Sequence, residues 1–154
     1  MLSIMMLRTF FKSDISSVLA IEESVHVTPW TRETFETCFR SGYLGWVAEI
    51  DNKIVGFVIV SLHREECHIL NLGVSHEQQR QGIGRKLLEY ALNYAKQQGI
   101  GIAYLEVRRS NARAISLYRK MKFYLVGERK NYYPSVSEPE DALIFAMSLV
   151  EEFP

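Results

Sequence analysis

A short glycine-containing stretch in the middle of the chain has the residue types and spacing of an anion-binding site. It runs from Gln79 to Gly84, reads Gln-Arg-Gln-Gly-Ile-Gly, and opens a long helical pattern. Glycines let the backbone turn tightly, and the first turn of a helix carries unpaired N–H groups at the positive end of the helix dipole. Together with the charges of Arg80, Arg85 and Lys86, this arrangement would suit a pyrophosphate.

Two better-known phosphate-binding loops do not match this stretch. A P-loop requires Gly-Lys-Ser or Gly-Lys-Thr, whereas Gly84 is followed by Arg85 and Lys86. The dinucleotide-binding fingerprint requires a third glycine at the position that Leu87 occupies. A glycine-rich turn between a strand and a helix, without any ligand, remains the alternative explanation of the pattern.

Nucleophilic and metal chemistry have weaker support in the sequence. Cys67 and His68 are adjacent, but successive residues of a strand point to opposite faces, which disfavours a nucleophile with its base. Cys38 and Cys67 lack the C-x-x-C spacing of a metal site, and the four histidines have no ligand-like spacing. We therefore expect no metal and reduced thiols.

The periodicity of apolar residues predicts the elements that must position the loop. Helical spacing predicts helices over 14–23, capped by Ser13 or Asp14, 31–41, capped by Thr31, 83–98 and 111–121. Apolar runs predict strands over 4–10, 44–50, 53–62, 68–74, 102–107, 123–126 and 142–149, with a hairpin turn at Asp51-Asn52. Strand 68–74, helix 83–98 and strand 102–107 would form a right-handed βαβ unit inside a mostly antiparallel sheet.

Length and composition predict one globular domain over residues 1–154. The chain is 47% apolar and 23% charged, which is ordinary for a globular protein. Its 18 basic and 18 acidic side chains cancel, which disfavours a general nucleic-acid or membrane-surface binder. No apolar run is long enough to cross a membrane, and residues 1–11 lack the flanks of a signal peptide, so we expect a cytoplasmic protein.

The spacing Gln79-x-x-Gly82-x-Gly84, at the start of a helix in this order of elements, resembles the coenzyme A loop of the GNAT acetyltransferase superfamily. The resemblance covers nearly the whole chain. It implies an α/β (α+β) GNAT fold, with a mixed, mostly antiparallel twisted sheet of about seven strands, a central βαβ unit and flanking helices.

Three other segments resemble the RimI group of that superfamily, the bacterial ribosomal-protein-alanine N-acetyltransferases. They are Pro29-Trp30-Thr31, Leu105 to Asn111, and Arg129 to Pro134. Lys130 stands where that group leads us to expect arginine, but it keeps the positive charge.

The resemblance implies that acetyl-CoA is the cosubstrate and assigns residues to it. The pantetheine arm would lie along the strand residues Leu72, Gly73 and Val74. The pyrophosphate would contact Arg80, Gln81, Gly82, Ile83, Gly84 and Arg85. Asn111 would contact the cofactor as well, although a plain helix N-cap is the alternative role of that residue.

The resemblance also implies an acid–base pair and a peptide site. Glu106 would be the general base and Tyr118 the general acid, while Trp30, Tyr132 and Tyr133 would line the acceptor groove. A peptide amine has a pKa of roughly 8 and must lose a proton before it attacks, so a carboxylate suits the first role. The alternatives are an outward-facing strand residue for Glu106 and a helix-face packing residue for Tyr118.

The function that follows from the resemblance is acetylation of a protein N-terminus, most directly the alanine that begins a small-subunit ribosomal protein. Because no good nucleophile is visible, we expect direct transfer in a ternary complex, by a monomer or weak dimer that needs no nucleic acid or membrane. An acetyltransferase for a small amine of the polyamine or aminoglycoside type is the first alternative. A non-catalytic acyl-CoA-binding module is the second.

Overall fold

The computed structural model describes residues 4–135 and 137–150, and its elements follow the predicted order. The strands are β1 (Met5–Thr9), β2 (Leu44–Ile50), β3 (Lys53–His63), β4 (Glu66–Val74), β5 (Ile102–Arg108), β6 (Tyr124–Tyr133) and β7 (Glu140–Ser148). The helices are α1 (Ile15–Val25), α2 (Arg32–Arg40), α3 (Ile83–Gln97) and α4 (Ala112–Lys120). Among the described residues, no helix is long and apolar enough to cross a membrane.

The strands form one sheet in the order β1-β2-β3-β4-β5-β7-β6. In this sheet β4 and β5 run parallel, and every other neighbouring pair runs antiparallel. The mixed, mostly antiparallel sheet of seven strands with a central βαβ unit, made of β4, α3 and β5, is therefore confirmed.

The sheet opens in its middle, between the two parallel strands. Residues Glu66 to Ile69 pair with Ile102 to Leu105, and the two strands separate beyond that point. Leu70 forms a bulge there, because Ile59 pairs with Asn71 while its neighbour Val60 pairs with Ile69. Each strand keeps its outer partner, up to Val74 in β4 and Arg108 in β5. A bulge bends and twists its strand, which accounts for the gap.

Helices cover both faces of the sheet and create two apolar layers. On one face α3 buries Leu87 and Leu88 completely against strand residues such as Phe145. On the other face Phe35 of α2 stands edge-on to Phe57 of β3, with 5.9 Å between the ring centroids. Burial of each such side chain stabilises the fold by about 1.5–3 kcal/mol. The sheet is therefore held by a packed apolar layer on each of its faces.

The largest difference from the predicted elements concerns β6. A strand was expected over 123–126, but the strand continues as far as Tyr132 and Tyr133. Its second half is mostly polar and exposed because it lies at the edge of the sheet with β7 as its neighbour. Such a stretch lacks the apolar alternation by which strands are predicted.

The predicted local signals were mostly right. Asp51 and Asn52 both have positive φ, 53° and 64°, as a tight hairpin turn requires. Thr31 caps α2, its side chain accepting from Thr34 N at 3.3 Å. Asp14 stands at the N-cap of α1, but its carboxylate is used instead by Phe11 N and Arg8, so it makes no cap hydrogen bond.

Candidate active site

A cleft of about 880 Å³ occupies the gap between the separated ends of β4 and β5. Thirteen of the fifteen site residues expected from the resemblance line it: Trp30, Leu72, Gly73, Val74, Arg80, Gly82, Ile83, Gly84, Arg85, Glu106, Asn111, Tyr118 and Tyr133. Gln81 and Tyr132 are described residues that lie outside it.

The cleft has two walls of different construction. One wall, here called the loop wall, comes from residues 72–74 at the end of β4 and from the segment 79–85 at the start of α3, of which only Gln81 does not line the cleft. The other, here called the side-chain wall, is formed by side chains from distant parts of the chain: Val27, Thr28, Trp30, Glu106, Arg108 and Tyr133.

The loop wall presents backbone N–H groups to the cleft. Gly82 precedes α3 in a left-handed conformation, with φ of 77°, and the exposed Arg80 also has a positive φ of 68°. The first hydrogen bond of α3 runs from Lys86 N to Gly82 O at 3.0 Å, so the N–H groups of residues 82–85 precede the helical ladder. Such groups, at the positive end of a helix dipole, bind anions.

Gln79 fastens this loop to its surroundings. Its Nε2 donates to Val74 O at 3.1 Å, and its Oε1 accepts from Arg113 Nη1 at the start of α4. The side chain thereby links the end of β4, the loop and α4. The sequence motif included Gln79 but gave no reason to expect Arg113 beside it.

Space is left where a pyrophosphate would lie. A Cβ built on Gly84 would come no closer than 3.6 Å to Val74 and 3.9 Å to Leu117, both of which line the cleft. A side chain would fit there without a clash and would occupy part of the cleft. The residues present therefore fit a diphosphate that is held mainly by backbone.

Two residues expected to contact the cofactor also have structural roles. Asn111 caps α4, its Oδ1 accepting from Ala114 N at 3.2 Å. The guanidinium of Arg85 pairs with Glu89 one helical turn further on, at 2.8 Å. Both residues line the cleft, but part of their bonding capacity is used inside their own helices.

Glu106 lies in the side-chain wall near the end of β5. Strand alternation places Leu105 and Val107 in the core and leaves the Glu106 side chain 29% exposed. Arg129 Nε of β6 lies 3.2 Å from Glu106 Oε1. The negative charge of Glu106 raises the pKa of the Tyr132 hydroxyl, so Tyr132 adjoins Glu106 although it does not line the cleft.

Tyr118 reaches the cleft from α4 and is almost fully buried. Its ring lies against Phe123 and Phe145, with centroids 5.9 Å and 6.4 Å away. Burial raises the pKa of Tyr118 to about 12, and Tyr133 adds to the effect. The phenol therefore keeps its proton throughout the neutral and moderately alkaline range.

A buried carboxylate, Glu22, supports the side-chain wall and was not predicted as a site residue. It is 1% exposed, and its Oε2 accepts from Trp30 N at 2.8 Å. Its Oε1 accepts from Asn71 Nδ2 at 3.0 Å, beside the bulge in β4, and lies 3.3 Å from His26 Nε2. The one available signal was its position four residues after Val18, on the buried stripe of α1.

The two cysteines are poorly suited to nucleophilic catalysis. Cys67 is completely buried, which raises the pKa of its thiol to about 12. Cys38 is also buried, and burial raises its pKa too. A thiol attacks as the thiolate, so neither residue offers a covalent route at neutral pH.

The cleft combines an anion cradle, a carboxylate and a protonated phenol. This set is suited to acyl transfer in which one group accepts a proton and another donates one.

Comparison with known proteins identifies the family. Residues 12–123 match the model of the acetyltransferase (GNAT) family. The chain is 35% identical over 137 residues to the ribosomal protein bS18-alanine N-acetyltransferase of Escherichia coli, covering 89% of this chain and 93% of that protein.

Solved structures agree with this assignment. The crystal structure of the ribosomal-protein-S18-alanine N-acetyltransferase from Escherichia coli superposes with a TM-score of 0.91, at 32% identity and 97% coverage of both chains. The fold is also that of yncA from Salmonella typhimurium, solved with its cofactor acetyl-CoA, at a TM-score of 0.79, 19% identity, and coverage of 96% and 95%.

Proposed function

The chain belongs to the GNAT family of acetyltransferases, and we propose that it transfers the acetyl group of acetyl-CoA to the N-terminal alanine of ribosomal protein bS18. The observation that carries the proposal is the gap between β4 and β5, in which an anion cradle lies in one cleft with Glu106 and Tyr118. The similarity to the Escherichia coli bS18-alanine N-acetyltransferase extends over 89% of the chain and supports the choice of acceptor.

The loop wall would hold the donor. Acetyl-CoA supplies a thioester whose acetyl carbon a neutral amine attacks. The N–H groups of residues 82–85 would bind its pyrophosphate. The strand residues Leu72, Gly73 and Val74 would lie along the pantetheine arm, because β5 has already turned away from them. The yncA structure, which shares the fold, contains acetyl-CoA as its cofactor.

Glu106 would accept the proton of the acceptor's α-ammonium group, directly or through a water. An ammonium group has no lone pair and cannot attack, and with a pKa of roughly 8 it is mostly protonated at neutral pH. The pairing with Arg129 orients the carboxylate of Glu106, while its exposed part faces the cleft.

Tyr118 would supply a proton to the departing thiolate. Its pKa of about 12 keeps it protonated, and the packing of its buried ring holds the side chain in the lining of the cleft. The acetyl–sulfur bond breaks as the acetyl–nitrogen bond forms, so the reaction needs no covalent acetyl-enzyme. The buried thiols of Cys38 and Cys67 support this direct route.

An acceptor screen tests the proposal. The purified protein is mixed with acetyl-CoA and with peptides that copy the first residues of bS18, beginning with alanine or with other residues. Matched peptides with a blocked N-terminus and an internal lysine, together with spermidine and an aminoglycoside, serve as controls. We expect thiol release with the alanine peptide and an acetyl group on its α-amine by mass spectrometry. Acetylation restricted to lysine or to the small amines would overturn the proposed acceptor, and binding of acetyl-CoA without any turnover would overturn catalysis.

A further inference from the structure

Arg108 is an arginine of the side-chain wall to which neither the loop motif nor the acid–base pair assigns a task. It lies two residues after Glu106 in β5, so both side chains project from the same face of the strand. Its side chain is 13% exposed and lines the cleft. A nearly buried guanidinium is uncommon unless its donors are well used.

The donors of Arg108 are used by two separate loops. Nη2 donates to the hydroxyl Oγ1 of Thr28 at 2.5 Å, and Thr28 lies in the segment between α1 and α2. Nη1 and Nη2 each lie 3.3 Å from the carbonyl oxygen of Pro134, in the segment between β6 and β7. The guanidinium therefore spans the two segments.

Two further contacts hold the guanidinium in this position. It stacks over the ring of Tyr133, 4.5 Å from the centroid, and Glu140 Oε2 lies 3.5 Å from Nη1. A planar fork can serve two acceptors and a ring face at once, whereas the single ammonium of lysine cannot do so with the same geometry.

The two places that Arg108 joins border the cleft that Glu106 also lines, since Thr28 and Tyr133, the last residue of β6 before Pro134, both line it. We infer that Arg108 is a positioning residue that fixes the width of the passage through which the acceptor reaches Glu106, and thereby restricts the size of the acceptor's first residue. This inference rests on the proposed function, because it presumes an acceptor that enters between these segments.

Two variants and a matched control test the inference. Arg108→Lys keeps the charge and removes the fork, and Thr28→Val removes one acceptor of the fork without changing its volume much. Arg109→Met is the control, since Arg109 is adjacent in sequence, 51% exposed, and pairs with Glu128 and Asp141 at the sheet edge. The measurements are kcat and KM with alanine-started and leucine-started peptides, and the Kd of acetyl-CoA by calorimetry.

We expect Arg108→Lys to raise the KM of the alanine peptide about tenfold, as the loss of one charge-assisted hydrogen bond would. The preference for alanine over leucine should fall, while the Kd of acetyl-CoA stays unchanged. Thr28→Val should change KM in the same direction by less, and the double variant should resemble Arg108→Lys, because both changes remove the same contact. The control should behave like the wild type.

An unchanged KM and an unchanged first-residue preference in folded Arg108→Lys and Thr28→Val proteins would overturn the inference. A loss of thermal stability with normal KM and preference would do so too, since it would reduce Arg108 to a structural residue. The proposed function is tested separately, by the turnover of the wild-type protein with the alanine peptide. If a small amine proves to be the acceptor, that function fails and KM for the amine decides the role of Arg108.

Discussion

The loop wall and the side-chain wall face each other across one cleft, yet they are built by different means. The loop wall comes from two neighbouring segments, 72–74 and 79–85, and offers mainly backbone groups. The side-chain wall combines residues from the segment after α1, from β5 and from β6, and it depends on hydrogen bonds between side chains, such as Glu22 with Asn71 and Arg108 with Thr28. A backbone cradle tolerates changes of side chain, whereas a side-chain network fails when one member is removed.

The largest effect should therefore come from the side-chain wall, in Glu106→Gln. If Glu106 is the base, kcat/KM at neutral pH should fall about 10²–10⁴-fold, the usual contribution of a general acid or base. The loss should shrink as pH rises past roughly 8, because the amine then deprotonates without help. The pH dependence of kcat/KM with an alanine-started peptide measures this. Near-normal rates across neutral pH would leave Glu106 as the partner of Arg129 and nothing more.

A smaller effect is expected from Tyr118→Phe, which keeps the ring and its packing against Phe123. We expect kcat to fall about 10²-fold, the lower end for a proton donor, with an unchanged Kd for acetyl-CoA. In the wild type the phenol should stay protonated until pH approaches its pKa of about 12, so it should cause no alkaline loss of rate at lower pH.

Tyr118→Phe should also change how the stability of the fold depends on pH. Because the folded pKa of Tyr118, about 12, exceeds the unfolded value of about 10, its contribution is complete below pH 10 and is lost as pH rises towards 12. The free energy of unfolding should therefore fall less steeply between pH 10 and pH 12 in Tyr118→Phe than in the wild type. If Tyr118→Phe is fully active, water supplies the proton to the departing thiolate and Tyr118 is only a packing residue.

The smallest effects should come from the loop wall, and they should depend on backbone rather than on charge. Gly82→Val places a β-branched residue at a φ of 77°, which costs about 1–2 kcal/mol and turns the cradle amides away. We expect the Kd of acetyl-CoA to rise about tenfold, a change that corresponds to 1.4 kcal/mol. Arg85→Ala should change that Kd less than about threefold, since Arg85 pairs with Glu89. Calorimetry measures both.

Gly99→Val is the matched control for Gly82→Val. Gly99 follows the other end of α3 with a similar φ of 81°, and a Cβ there also meets nothing within 4 Å. The Gly99→Val protein should lose as much free energy of unfolding as Gly82→Val but keep the wild-type affinity for acetyl-CoA. Equal affinities in the two variants would show that the Gly82 conformation plays no part in cofactor binding.

The loop wall was predictable from sequence because its signal is local. Gly82 and Gly84 at the start of an apolar helical stripe suffice to indicate an anion cradle, and the order of strands and helices follows from periodicity. The side-chain wall depends on contacts that no window of sequence contains. Glu22 and Asn71 are 49 residues apart, and Arg108 and Thr28 are 80 apart.

The other structural features that were not predicted from the sequence have similar physical causes. The bulge at Leu70 changes no residue type, so nothing in the strand pattern indicates it. The length of β6 escaped prediction because a polar edge strand is stabilised by its hydrogen bonds to β7 and not by burying alternate side chains. Arg108 and Arg109 are the same residue type, and only the fold separates the first, a cleft residue that is 13% exposed, from the second, a surface residue that is 51% exposed.

The early end of the pairing between β4 and β5 has a consequence for the lifetime of the protein. A sheet that opens in its middle leaves its centre incomplete, and a ligand that fills the opening binds the folded state alone. Such a ligand stabilises the fold by about 2.7 kcal/mol when its concentration is a hundred times its Kd. If acetyl-CoA fills the opening as proposed, it would act as a folding ligand as well as a reactant, and the protein without it would unfold more often and be exposed to proteases sooner.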